Sequence, residues 1–116
     1  MFFQGGNKMY NGHSNWAGFP SNFPSTSTFS LNTWYCATLT FNTTDGMKLY
    51  INGLLDSTYT AIKTAYTGDG STNIACYSLG GNLLNGRISK VYCYNRSLSS
   101  DEVLQNYNAD KDQFGL

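Results

Sequence analysis

Leu79-Gly80-Gly81-Asn82-Leu83-Leu84-Asn85-Gly86-Arg87-Ile88-Ser89-Lys90-Val91-Tyr92-Cys93-Tyr94-Asn95-Arg96-Ser97-Leu98-Ser99-Ser100-Asp101-Glu102-Val103 decides the reading of this chain. Gly80-Gly81-Asn82 turns the backbone, and Asn85-Gly86 turns it again. A strand is predicted from Ile88 to about Tyr94. In it Ile88 and the pair Val91/Cys93 fall on opposite parities, so burial of all three requires a β-bulge between Ile88 and Val91. Asn95-Arg96-Ser97 makes a polar corner. Ser99 and Glu102 then form the S-x-x-E capping box, in which each side chain satisfies the other residue's backbone amide. Leu98 and Val103 occupy the two positions of a hydrophobic staple. A short helix is predicted from about Ser100 to about Asn108, with Val103, Leu104 and Tyr107 on its apolar side. So short a helix needs a surface to pack on.

Working outward, residues 34–41 alternate. Tyr35, Ala37, Leu39 and Phe41 share the expected core face, and Cys36, Thr38 and Thr40 share the other. Asp45-Gly46 is a hairpin signal. In the return strand Met47, Leu49 and Ile51 point one way, Lys48 and Tyr50 the other. Asn52-Gly53 makes the next tight turn, and Leu54-Leu55 begin another strand. Residues 56–72 are less regular, with a loop at Thr67-Gly68-Asp69-Gly70-Ser71; Asn73 to Leu79 is strand-like again. Near the front, two strands are expected at Met1–Gln4 and Lys8–Tyr10, followed by a long loop through Thr28 broken by Pro20 and Pro24. From Asp110 onward the chain reads as a polar tail.

The chain has 116 residues, which is one domain's worth. Seven basic and seven acidic side chains cancel, and no block of like charge is present. Nothing therefore favours nucleic acid or an anionic membrane as a partner. Only 12% of residues are charged, against a usual share of about 25%. Asn, Ser, Thr, Gly and Tyr replace them, a composition suited to strands, turns and neutral hydrogen-bonding surfaces. Cys36, Cys76 and Cys93 lack C-x-x-C spacing and cannot all pair internally; they read as buried free thiols of a reducing compartment. Met1 to Gly6 has neither the basic start nor the apolar run of a signal peptide.

Trp34-Tyr35 with its alternating strand, Asp45-Gly46, Leu49-Tyr50-Ile51-Asn52-Gly53, Leu79-Gly80, Asn85-Gly86-Arg87-Ile88, and Tyr94 through Ser99 to Glu102-Val103 together resemble laminin-G-like domains of the concanavalin A type. The resemblance extends over about residues 30–109. It implies an all-β fold, a two-sheet antiparallel β-sandwich (jelly roll) with one short C-terminal α-helix. The whole of 1–116 is then a single such domain in which the family's usual first strands are not recognised: either the chain is a piece of a larger protein, or the sandwich is reduced and exposes an edge strand that a neighbouring subunit could cover. The ending, Gln105 to Leu116, is similar to laminin-G-like proteins of tailed bacteriophages.

Hydrolases on such a fold need two carboxylates flanking the bond to be cleaved. Glu102 is the sole glutamate and is engaged in the capping box, while the aspartates are scattered, so no enzymatic activity is expected. His13 lies in a loop without a nucleophile nearby. Trp16, in the Asn/Gly/Ser-rich loop with His13, reads either as a stacking platform for a sugar or as a plug over the end of the sandwich; Tyr66 carries the same two readings. Gly68-Asp69-Gly70 reads as an ordinary turn, with Asp69 the one candidate for calcium; no other metal or cofactor is expected. The speculative carbohydrate-binding set is thus Trp16, His13, Tyr66 and Asp69. The expected function is a non-enzymatic structural or binding domain of a phage particle, of capsid-decoration or tail-fibre type, located on the virion surface. Its partners would be copies of itself, other virion proteins or host glycans. The alternative is a carbohydrate-binding module of a larger secreted or cell-surface protein.

Overall fold

Tight turns set the register of the central sheet. In a computed structural model, residues 2–4, 8–11, 23–60, 74–75 and 83–116 are described. Strands β1 (Phe2–Gln4), β2 (Lys8–Asn11) and β3 (Phe23–Pro24) pair antiparallel in that order. Strands β4 (Ala37–Asn42), β5 (Gly46–Ile51) and β6 (Leu54–Tyr59) form a second antiparallel sheet in sequence order. Helix α1 (Ser100–Asp110) follows, and one 3₁₀ turn over Lys111–Phe114 closes the chain. The β fold with one C-terminal helix is as expected, and so are the two early strands. The long loop is not unbroken, because Phe23 and Pro24 pair with Asn11 and Tyr10. Proline has no amide to donate, which suits β3's place at the edge of its sheet.

Both hairpins follow their turn chemistry. Asn52 (φ 50°) and Gly53 (φ 79°) are both left-handed, the requirement of the two-residue turn whose twist matches its strands. Asn52 also ties this turn to the start of β4: its Oδ1 accepts from the Cys36 amide at 2.9 Å, and its own amide donates to the Cys36 carbonyl at 2.8 Å. At the other end, Asn42 Oδ1 accepts from the amides of Thr44 and Asp45 at 2.9 and 2.6 Å, and Gly46 takes φ 84°. This is an Asx turn closed by a left-handed glycine.

Strand β5 is buried on both faces. On one, Leu49 and Ile51 join Met9 of β2 and Phe29, with Tyr35, Ala37 and Tyr59 packed around them. Phe29 and Tyr35 meet edge-on, their ring centres 4.7 Å apart. On the other, Tyr50 packs with Leu98 and Val103, the two staple residues of α1. The expected inward set Met47, Leu49 and Ile51 therefore holds at Leu49 and Ile51, but Tyr50 is not on an open face. Strand β4 departs further: Leu39 is 41% exposed and Thr40, from the opposite face, only 6%. Among the described residues β4 stands at the edge of its sheet, and the corner Ser97 to Ser100 lies beside Thr40.

The two sheets are also linked by polar atoms. A bulge opposite Leu49/Tyr50 leaves Asp56 without a cross-strand partner. Its carboxylate accepts from the amides of Thr26 and Ser27 at 2.7 and 2.8 Å. Burial pushes the Asp56 carboxyl up, but the Ser27 and Thr26 bonds outweigh it and hold it below the ordinary value. Ser25, 1% exposed, accepts from the Met9 amide through Oγ and donates to the Ser27 carbonyl.

The strand expected from Ile88 onward finds no partner strand among the described residues. Ile88, Val91 and Cys93 are all exposed, so no bulge is needed there. Side chains hold this segment instead. Lys90 pairs with Asp110, the Tyr92 hydroxyl donates to Asp110, and the Tyr94 hydroxyl accepts from Asn106. Alternate residues of an extended chain thus meet positions i and i+4 of a helix. The expected polar tail is likewise ordered: Phe114 packs on Trp34 at 5.3 Å between ring centres.

Gly53 is where α1 approaches the hairpin most closely. A Cβ there would lie 2.9 Å from Tyr107 Cδ1 and 3.0 Å from Leu104 Cδ1, at a backbone angle side chains avoid. Gly53→Ala is expected to lower stability by about 1–3 kcal/mol through overpacking and strain. Gly86→Ala, which meets only Leu84 at 3.4 Å or more, should stay within about 0.5 kcal/mol. Urea midpoints of the two variants check this.

Candidate functional site

The described residues form a polar cleft between the β4–β5 hairpin and the start of α1. It encloses about 380 Å³ and is lined by Thr40, Asn42, Asp45, Lys48, Tyr50 and residues 97–100. That volume is at the small end for ligand sites, which span about 300–1,000 Å³. The hairpin supplies one wall through alternation: Thr40 and Asn42 of β4 share a face with Lys48 and Tyr50 of β5, Thr40 standing opposite Lys48. The corner Ser97-Leu98-Ser99-Ser100 supplies the other.

The corner is fixed by the capping box. Ser99, extended at φ −72° and ψ 164°, accepts through Oγ from the Glu102 amide at 3.3 Å, and Glu102 Oε2 accepts from the Ser99 amide at 2.8 Å. Arg96 grips the same carboxylate with two bonds of 2.9 and 2.7 Å. The Arg96 guanidinium, and after it the Ser99 amide, hold the Glu102 carboxyl far below its usual range, from 4.5 to about 2. Both side chains are substantially exposed, so the pair contributes geometry more than stability.

On the hairpin side, Lys48 Nζ donates to Asp45 Oδ2 at 2.9 Å, and Asn42 Nδ2 donates to the same oxygen at 3.3 Å. The Asp45 bond raises the Lys48 pKa and keeps it charged. The Asn42 side chain is thus engaged within the turn. The cleft floor is Thr40 and Tyr50, 6% and 4% exposed. Neither hydroxyl has a hydrogen-bond partner among the described residues.

The residues singled out for sugar binding, Trp16, His13, Tyr66 and Asp69, lie outside the described residues, as does Cys76; the calcium reading of Asp69 goes with them. Among the described residues no group of three or more His, Cys, Asp or Glu could hold a metal ion. Cys36 is half-buried, and burial pushes its thiol pKa up. Cys93 was expected to be buried and is exposed, because the 87–94 segment lies outside the core. No helix among the described residues is long and apolar enough to cross a membrane.

Sequence reasoning missed the cleft because it set Thr40, Lys48 and Tyr50 on the face opposite the expected core and looked for no cover there. One signal was available: the staple pair Leu98/Val103 needs an apolar surface, and Tyr50 is the large side chain on the hairpin's second face.

A profile of the laminin-G type, described as the concanavalin A-like lectin/glucanases superfamily, matches residues 2–104. The chain belongs to this superfamily. Its fold is also similar to a crystal structure of an S-layer domain-containing protein (residues 221–444) from Clostridium thermocellum. The TM-score is 0.61 and the identity 22%, over 86% of this chain and 50% of that one. The superfamily domain described here thus spans half the length of that solved chain. No curated protein matches.

The lowered Glu102 carboxyl gives a pH signature. Its folded value, about 2, lies below the 4.5 of an unperturbed group, so its contribution to stability is complete above pH 4.5 and is lost as pH falls toward 2. Glu102→Gln is expected to flatten the fall in urea midpoint across this window and to leave the contributions of Asp56 and Asp110 in place. Side-chain carboxyl titration by NMR reads the Glu102 value directly.

Proposed function

We propose that this superfamily domain, a two-sheet jelly roll, is a non-catalytic glycan-recognition module of a cell-surface or extracellular protein. The observation that carries this reading is the chemistry of the cleft. It presents hydroxyls, an amide and one charge pair, yet only one carboxylate, Asp45, which Lys48 and Asn42 already hold. Glycoside cleavage uses two carboxylates facing one bond. Glu102 serves the helix cap, Asp56 the join between sheets and Asp110 the 90–94 segment, each at a separate place. Membership in a superfamily of lectins and glucanases supports sugar as the ligand class. The S-layer neighbour favours the cell-surface reading over the virion surface, for which the comparisons offer nothing.

A glycan array probed with the tagged chain on a multivalent carrier tests this. Retention on a restricted group of glycans, with no release of reducing ends from them, is the expected result. Time-dependent release of reducing ends would overturn the non-catalytic assignment, and an array without retention would overturn glycan recognition.

A further inference from the structure

We propose that the cleft between the β4–β5 hairpin and the start of α1 binds a single neutral pyranose unit, with the Thr40 and Tyr50 hydroxyls as its deepest contacts. This rests on the glycan-recognition reading above and gives it a place and a ligand charge.

Thr40 and Tyr50 are each more than nine-tenths buried, and neither hydroxyl is bonded among the described residues. Such groups lose bonds to water on folding and are ordinarily paired within the protein. Ser57 Oγ is the one side-chain atom among the described residues that is sealed from solvent without a partner. Thr40 and Tyr50 both line the cleft, which is where a ligand would reach their hydroxyls. Each can both donate and accept, as can every hydroxyl of a sugar.

The charges select against ionic ligands. Lys48 and the positive end of α1 would attract an anion. Asp45 lies 2.9 Å from Lys48 Nζ, and Asp101 and Glu102 occupy the first turn of the helix. An acidic sugar would meet Asp45, and an amino sugar would meet Lys48. A neutral polyol uses both, donating to the carboxylate and accepting from the ammonium. The serines at the rim extend the same mixed chemistry.

Size and shape limit the ligand further. About 380 Å³ suits one ring with accompanying water rather than an extended oligosaccharide. Leu98 lines the cleft and offers an apolar contact to a C–H face. Tyr50 lies too deep to present its ring face for stacking. A single unit is thus held mainly by hydrogen bonds, with weak intrinsic affinity that multivalent display would raise.

The test is an NMR amide titration of the full chain with methyl glycosides of glucose, galactose, mannose and N-acetylglucosamine. Glucuronate and glucosamine are the charged counterparts. At least one neutral glycoside is expected to move the amides of 40–50 and 97–103 saturably, and the charged sugars to bind more weakly. Thr40→Val and Tyr50→Phe each remove one hydroxyl and keep the shape. Each should weaken that glycoside about 3- to 10-fold, the worth of one hydrogen bond. The urea midpoint should hold or rise, because the lost hydroxyl had no partner in the free protein. A structural role for either hydroxyl would instead lower the midpoint and leave affinity unchanged. Wild-type affinity in both variants, equal binding of glucuronate, or no shift in 40–50 and 97–103 overturns the proposal. Saturable shifts confined elsewhere, or array retention without cleft shifts, overturn the cleft but leave glycan recognition standing. Silence in both experiments overturns both.

Discussion

Everything described in this structure leans on β5 being buried from both sides. Leu49 and Ile51 face the cluster that holds Met9 and Phe29, while Tyr50, between them in sequence, faces Leu98 and Val103. One strand therefore carries two apolar cores of opposite parity. The arrangement makes the central sheet a shared wall: the first sheet and the 25–29 segment close one side, and the start of α1 closes the other. Burying a large side chain contributes about 1.5–3 kcal/mol, so losing either cover would expose a substantial part of what holds a chain of this size together.

Polar contacts then fix what the apolar contacts bring near. The Asp56 bulge docks the Thr26 and Ser27 amides onto β6. Arg96 and the capping box lock the corner before α1. Lys90, Tyr92 and Tyr94 lie along Asn106 and Asp110. In each case a charged or hydroxylic group satisfies backbone or side-chain atoms at a junction between elements, where no regular ladder can. The cleft is a by-product of two such junctions: the Asx turn at Asn42 and the helix cap at Ser99 hold their walls apart, while Tyr50 and the staple close the floor.

Legibility followed the range of the interaction. The Asn52-Gly53 turn, the Asp45-Gly46 hairpin, the S-x-x-E cap and the helix span were readable because each depends on residues within a few positions. The strand at 88–94 was not borne out among the described residues, where its side chains meet Asn106 and Asp110 of the helix instead, and alternation alone cannot show which element a segment will meet. The inward face of β4 was half right for the same reason. Tyr35 and Ala37 found the core, but the edge position left Leu39 exposed and the helix corner buried Thr40. Of the candidate site, only the cap at Ser99 was legible; the sugar-binding set chosen from sequence, Trp16, His13, Tyr66 and Asp69, lies outside the described residues.

The sequence by itself determined the β class, the turns of both hairpins, and the place and cap of the helix, because turn angles, capping and alternation are local properties of the backbone; the superfamily was legible through the resemblance of those pieces, in their order, to laminin-G-like domains. Only the tertiary structure decided that Tyr50 and Thr40 lie beneath the corner of α1 and that Asp45, Lys48 and Ser99 line one cleft. Residues some fifty positions apart meet there because the staple pair had to bury its side chains, and the second face of β5 was the surface on which they did so.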